Sequence, residues 1–369
     1  MKFTCNSFEL SDACQIVQRA TSAKTAFPSV EGILLSAESG SLTLTGYDLE
    51  MGITTTIPCN VEESGRIIVN AHMFSETVRK LPDKPVHIDS DARQIAEIKC
   101  GEFKTKIIGM SADEYPELPS ITGGYDLSLS QPMIKDMIKK TIFSAAIKDA
   151  KVIHTGVKFE IDENHIRLIA VDGVRLAIRN EDIEYSGEPL SFVVPAKTLS
   201  EVMKLLSDGE ENVNISVGKR HIIFKIGSYD VISRLLDGEF LNYKSAIPSS
   251  YKTVASVDTM SFLNSIDRTS LILADRLKSP IKCVFANNMI QLSSNASIGA
   301  SSDKIDVEIT GEDCVIGFNN KYMLDVLKVC DTDKVRIMLN GPISPILVVP
   351  SEGDSFIFLI LPVRLKNED

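Results

Sequence analysis

A β-branched strand that runs into a short helix occurs three times in this chain at almost constant spacing, and that repetition constrains the fold more than any other feature. Residues 67–81 match 192–206 at an offset of 125, and 316–330 follow at an offset of 124, with Asp325 in the place of Glu201. Other segments keep the same order. A helical pattern opens each third, at 10–21, 132–145 and 260–273, and Ser130 and Pro132 suit the start of the second. A hairpin follows each time, at 33–47, at 157–171 turning on Asp162, Glu163 and Asn164, and at 281–293 turning on Asn287 and Asn288. Asp48, Asp172 and Asn295 mark one point after the second hairpin strand, and further strands end at 115–119, 243–248 and 356–365. The order predicts an α+β architecture in triplicate, with domains at 1–122, 123–248 and 249–369.

A length of 369 residues agrees with this, because single cores stop growing near ~250–300 residues. With 44% hydrophobic and 24% charged residues, the chain has ample material for full cores. The longest apolar run, 356–361, is far short of the ~18–20 residues of a membrane span, and the N-terminus lacks a signal peptide's apolar stretch. A cytoplasmic location is expected. Seven scattered cysteines, none two residues from another, read as reduced thiols rather than a metal or redox motif.

Alignment of the repeats exposes a charge pattern. His72 with Arg79, Lys197 with Lys204 and Lys321 with Lys328 occupy the same two columns, seven residues apart and so on one helix face. In the opening helices Arg19, Lys140 and Arg268 share a column, and Lys135 with Lys139 adds a pair one turn apart. Each lysine alone fits a solvated helix face. Repeated on one face of a chain with net charge −11, they fit the phosphates of a polyanion, gripped without regard to sequence.

Size decides how such units could enclose a polymer. A domain of this length is about 35 Å across as a uniform sphere, so three in a ring leave a hole of about 5 Å while six leave about 35 Å. Only six, from two chains head to tail, admit a duplex. Catalytic signals are missing: the sequence carries no Gly-rich phosphate loop, no His-Glu-x-x-His and no Gly-x-Ser-x-Gly, and its five histidines are dispersed. The Asp172-Gly173-Val174-Arg175 stretch reads as a turn rather than an acid–base site.

The stretch 170–177 (Ala-Val-Asp-Gly-Val-Arg-Leu-Ala), Leu236-Asp237-Gly238-Glu239-Phe240 followed by Tyr243 and Pro248, and the terminal Leu361-Pro362-Val363-Arg364-Leu365 together resemble the beta subunit of bacterial DNA polymerase III, the sliding clamps, over the whole chain. The resemblance implies three clamp-type domains, each with two helices packed on antiparallel sheets, closed head to tail into a ring as a homodimer. It implies a protein without catalytic activity or cofactor that encircles duplex DNA and tethers the replicative polymerase. A clamp loader places it, and polymerases and repair proteins dock through short clamp-binding peptides.

The peptide pocket implied by the resemblance falls on Thr155, Gly173, Val174, Arg175, Leu176, Leu241, Ser245, Ala246, Ile346, Leu359, Leu361, Pro362, Val363, Arg364 and Leu365. Leu176, Leu361, Pro362 and Val363 would form an apolar floor, with Arg175 and Arg364 at its edge. Leu241 departs from a usual proline, Ser245 from a common arginine, and Lys366 to Asp369 extend past the customary terminal leucine. DNA-facing positions are expected at Lys24 and Lys148, joined by the helix cations Arg79, Lys139, Lys197, Lys204, Arg268, Lys321 and Lys328. A dimer contact is expected between Ile107 and the pair Ile272 and Leu273. A repeat-built enzyme of the enolpyruvyl transferase type is the alternative. It requires clustered Lys and Arg and a reactive cysteine on a Gly-rich loop, and neither grouping is evident. A protein scaffold that ignores DNA would leave the repeated cations unexplained.

Overall fold

The computed structural model describes residues 1–22, 26–149, 151–273 and 280–365. Short polar side chains start the helices. Asn6 accepts from the Phe8 and Glu9 amides at 2.8 and 3.1 Å and opens α1 (Ser7–Val17), and Asn70 accepts from Met73 at 2.9 Å to open α2 (Ala71–Arg79). α3 (Gln131–Lys139) and α4 (Ala196–Leu205) belong to the second repeat. Asp258 and Asn319 cap α5 (Thr259–Ser270) and α6 (Asn320–Leu327) by the same bond. The α-helix of the second repeat stops at Lys139, short of the expected 145, because the chain passes into a 3-10 turn over Ile142–Ser144.

The hairpins turn where the sequence expects. Ala286 pairs with Met289, so Asn287 and Asn288 form a two-residue turn with φ of 54° and 56°, the left-handed conformation that asparagine tolerates. Asp48 and Asp172 each close a turn, Asp172 Oδ1 accepting from the Val174 and Arg175 amides at 3.1 and 3.0 Å.

Strands from different repeats then pair with one another. In one compact unit (Met1–Pro132 with Lys204–Leu235), Tyr229–Arg234 lies antiparallel to Met51–Pro58 and joins second-repeat strands to first-repeat strands in an eight-stranded sheet. That unit also holds a five-stranded sheet with outermost strands Asn60–Glu63 and Phe103–Ile108. In the other unit (Met133–Met203 with Leu236–Asp369), Arg175–Asp182 pairs with Phe356–Ile360 and joins second and third repeats in a nine-stranded sheet. A four-stranded sheet there ends at Gly299–Asp306 on one side and Cys314–Phe318 on the other. Phe262, Ile266, Cys283, Phe285, Phe318 and Leu324 fill the third repeat's core.

A polar lock reinforces this second joint. Lys140, expected on an exposed helix face, is instead 2% exposed. Its Nζ reaches Asp136 at 2.9 Å and Asp331 at 2.7 Å, close to the Phe356 ring. Asp136 also accepts from Arg179 Nε at 3.0 Å, and Arg179 donates to the Ser355 carbonyl at 3.0 Å. The column shared with Arg19 and Arg268 concealed this, because burial depends on a carboxylate 191 residues away.

Removing one partner of a buried ion pair strands the others. Lys140→Met is expected to lower stability to urea by about 2–3 kcal/mol, reduced by the partial exposure of Asp331; an unchanged midpoint would show that the lock is idle. Burial pushes the Asp331 carboxyl up, but the hydrogen bond and charge of Lys140 outweigh it and hold it below its ordinary value. A lowered carboxyl contributes stability above its unfolded pKa and loses it as pH falls through the folded one. The deficit of Asp331→Asn should therefore be present at neutral pH and vanish below the usual carboxylate range.

Candidate peptide-binding site

The site grows out of the second unit's nine-stranded sheet. The antiparallel register of His165–Val171 against Arg175–Asp182 ends at Val171 opposite Leu176 and leaves Asp172, Gly173 and Val174 as a tight turn. Gly173 sits at φ +87°, where a side chain would be strained. Beneath the turn lies a buried apolar cluster of Ile169, Val171, Leu176, Ile178, Tyr243, Leu347 and Leu359, flanked by Phe240 and Ile247. Val174, Leu241 and Leu361 remain about two-fifths exposed in this region.

The terminal segment runs past the same turn. The Leu361 amide donates to the Val174 carbonyl at 2.9 Å and the Val363 amide to the Gly317 carbonyl at 2.8 Å. Strand structure ends at Ile360, earlier than the expected 365, and the following residues lie against Cys314–Phe318. Val363, Arg364 and Leu365 line a groove of about 700 Å³ with Val315, Gly317 and Ile343. A Cβ on Gly317 would meet the Val363 carbonyl oxygen at 2.5 Å, so this close seat requires glycine.

Several expected residues take different parts. Leu176, Leu359 and Ile346 are buried at 3, 3 and 1% exposure, so they build the site from beneath rather than offer surface. Pro362 and Val363 are half-buried, while Gly173, Ser245, Ala246 and Arg364 are exposed. Arg175, expected at the edge for peptide contacts, is engaged inside the protein. Its Nε meets Asp172 at 2.8 Å, its Nη1 meets Asp325 at 2.7 Å, and its guanidinium lies over the Tyr322 ring at 4.6 Å. Planar stacking and two carboxylates hold it in place.

Thr155 faces a separate cleft with Ala145, Ile147 and Lys197, its hydroxyl bonded to the Val152 carbonyl at 2.7 Å. The preceding His154, which sequence reasoning passed over, packs edge-on against Phe240 at 5.7 Å and bonds to Asp149 at 3.0 Å. Tyr243 follows the Leu236–Phe240 motif in sequence. It lies in the buried cluster, with its hydroxyl donating to Glu160 at 2.6 Å. Burial and then that carboxylate push its phenol up to about 12.

Outside this site, Lys24 and Lys366 to Asp369 lie outside the described residues. Lys139, Lys148, Lys197, Lys204, Lys321 and Lys328 are exposed. Arg79 and Arg268 are also exposed, and they meet the carboxylates of Glu76 at 2.7 Å and Asp303 at 3.1 Å. At the expected dimer contact, Ile107 and Leu273 are buried at 3 and 4% exposure, and Ile272 is partly buried. Their neighbours Ile108 and Leu271 are 80 and 69% exposed. Strand alternation turns the Ile107 side chain into the core and Ile108 outward. No group of three or more His, Cys, Asp or Glu side chains among the described residues could hold a metal ion.

If Arg175 braces the site, Arg175→Lys should lower stability to urea by about 1–3 kcal/mol, because an ammonium cannot reproduce the stacked, forked contacts. Full stability with weakened peptide binding alone would return it to the role of a surface contact.

Family comparisons agree with this architecture. Models for the N-terminal, central and C-terminal domains of the DNA polymerase III beta subunit match residues 1–119, 128–242 and 244–364. The beta sliding clamp of Bacillus subtilis is 32% identical over 376 residues, covering 99% of this chain and all of that protein. That of Staphylococcus aureus is 32% identical, covering 94% of each. Among solved structures, a DNA polymerase III beta subunit from Eubacterium rectale superposes with a TM-score of 0.95 at 36% identity, covering 99% of this chain and 100% of that one. A Pseudomonas aeruginosa sliding clamp bound to griselimycin does so at 0.93 and 26%, with the same coverage. These matches give the transferase alternative no support. The chain belongs to the DNA polymerase III beta subunit family, the beta sliding clamps.

Proposed function

We propose that this chain is a non-catalytic processivity factor of the bacterial cytoplasm. Two copies close head to tail into a six-domain ring that encircles duplex DNA, and the site beside the Asp172 turn holds clamp-binding peptides of the replicative polymerase, clamp loader and repair proteins. The three domains run to about residues 122 and 248 and to the C-terminus, as the repeat suggests.

The observation that carries the ring is a pair of strand edges, unpaired among the described residues, at equivalent places in the repeat. The two joints made within the chain set Ser233 opposite Met51 and Ile360 opposite Arg175. The positions left over are Ile107 on the outermost strand Phe103–Ile108 and Gly299 on the outermost strand Gly299–Asp306. Applied between two chains, the same register sets Ile107 opposite Gly299, Thr105 opposite Ser301 and Phe103 opposite Asp303. Side-chain parity supports this register. Thr105 and Ser301 are both half-buried, whereas Lys104, Lys106, Ala300 and Ser302 are all exposed. Open strand edges are an aggregation hazard unless covered, and a head-to-tail dimer covers both.

The exposed cations, Lys148, Lys197 and Lys204 on α4, Lys321 on α6 and Lys328 at its end among them, suit loose phosphate contact that permits sliding. Lys24 is assigned the same role from sequence.

Thr105→Cys combined with Ser301→Cys should give covalent dimers on oxidation. Moving the second cysteine to Ser302 should fail, because a one-step slip turns the side chain to the other face. Efficient cross-linking of the slipped pair, or a monomeric native mass, would overturn the interface. Leu361→Asp should weaken a fluorescent peptide with apolar anchors by about tenfold or more while leaving the dimer intact; unchanged anisotropy would remove Leu361 from the pocket.

A further inference from the structure

Two cysteines of the first unit stand where a cross-strand bridge can form. Lys2–Cys5 runs antiparallel to Asn60–Glu63 with Phe3 opposite Val61 and Thr4 opposite Asn60, and one further step sets Cys5 opposite Cys59. Opposed residues on antiparallel strands project to the same face with Cβ atoms about 4.5–5.5 Å apart. The kind of pair matters. The Cys59 amide donates to the Gly40 carbonyl at 3.0 Å, so it does not close a rung with Cys5. The position is thus of the non-hydrogen-bonded kind, where Cα atoms approach to about 4.5 Å, inside the range a disulfide spans.

Access is also provided. Cys5 is 6% exposed and Cys59 half-buried, and both line one cleft of about 680 Å³ with Asn6, Pro58 and Lys84. We propose that Cys5 and Cys59 form a reversible disulfide with a low-molecular-weight disulfide as oxidant. The more exposed Cys59, as thiolate, attacks one sulfur of the oxidant RSSR. The RSSR bond breaks, a mixed disulfide forms, and the leaving thiolate takes up a proton to become RSH. Cys5, after losing its proton to water, attacks the Cys59 sulfur and expels the second RSH. Two protein thiols are oxidised and one RSSR is reduced to two RSH.

Burial, followed by the neighbouring Cys59, pushes the Cys5 thiol up to about 12, and burial raises Cys59 as well. Both thiols are therefore mostly protonated at neutral pH, and the exchange is slow and accelerates as pH rises. Such a pair registers sustained oxidation rather than brief pulses. The bridge would fasten the corner after Met51–Pro58 to the N-terminal strand, in the sheet whose opposite edge is Phe103–Ile108.

The test incubates the full-length protein with excess glutathione disulfide at neutral and mildly alkaline pH, then traps free thiols under denaturing conditions and maps the peptides. The expected product has lost two hydrogens, carries a Cys5–Cys59 linkage and forms several-fold faster at the higher pH. Cys59→Ser should prevent it, and Cys5→Ser should stop at a glutathione adduct on Cys59. An adduct on wild-type Cys59 that never resolves would overturn the proposal. So would a linkage of Cys5 to the fully buried Cys14, whose thiol also senses Cys5. Mapping of the wild-type protein decides the question even if a serine variant fails to fold.

Discussion

Pairing between strands of different repeats is the interaction on which the rest of the structure depends. The second and third repeats each hand a strand to the repeat before: Tyr229–Arg234 to Met51–Pro58, and Phe356–Ile360 to Arg175–Asp182. Main-chain hydrogen bonds fix these joints in register. Three repeats joined in this way use up two joints and leave one donor edge and one acceptor edge. A head-to-tail partner satisfies both.

The candidate peptide site is a by-product of the same joint. Where Arg175–Asp182 meets Phe356–Ile360, the turn at Asp172 and the terminal segment come together over the shared cluster around Val171, Tyr243 and Leu359. Arg175 and the Lys140 lock hold that joint from two sides with nearly buried cations paired to partly exposed carboxylates. Rigid support beneath and exposed Val174, Leu241 and Leu361 above is the arrangement an apolar anchor needs.

Much of this was legible in the sequence because it depends on local chemistry. Repeat spacing gave the helices, Asn287 and Asn288 gave a hairpin turn, and Asp172 gave an Asx turn, since each rests on the conformational preference of one or two residues. Environment was less legible. Lys140 looks like any helical lysine until Asp331 arrives from another repeat, and Arg175 looks like a rim residue until Asp325 and Tyr322 enclose it. Ile107 and Ile108 are indistinguishable by composition, and only strand parity tells which faces the core. His154 gave a weak signal, since a lone histidine after a loop acquires meaning only from Phe240, a distant partner.

In the proposed ring, the protein is retained on DNA by enclosure rather than by grip. The most direct measurement loads the clamp onto circular duplex DNA with its loader, washes in high salt and then cuts the circle once. Enclosure predicts retention on the circle through the wash and prompt loss after cutting. A phosphate-gripping protein would be stripped by salt from circle and linear DNA alike. Loss from intact circles, or persistence on cut DNA with free ends, would contradict the ring.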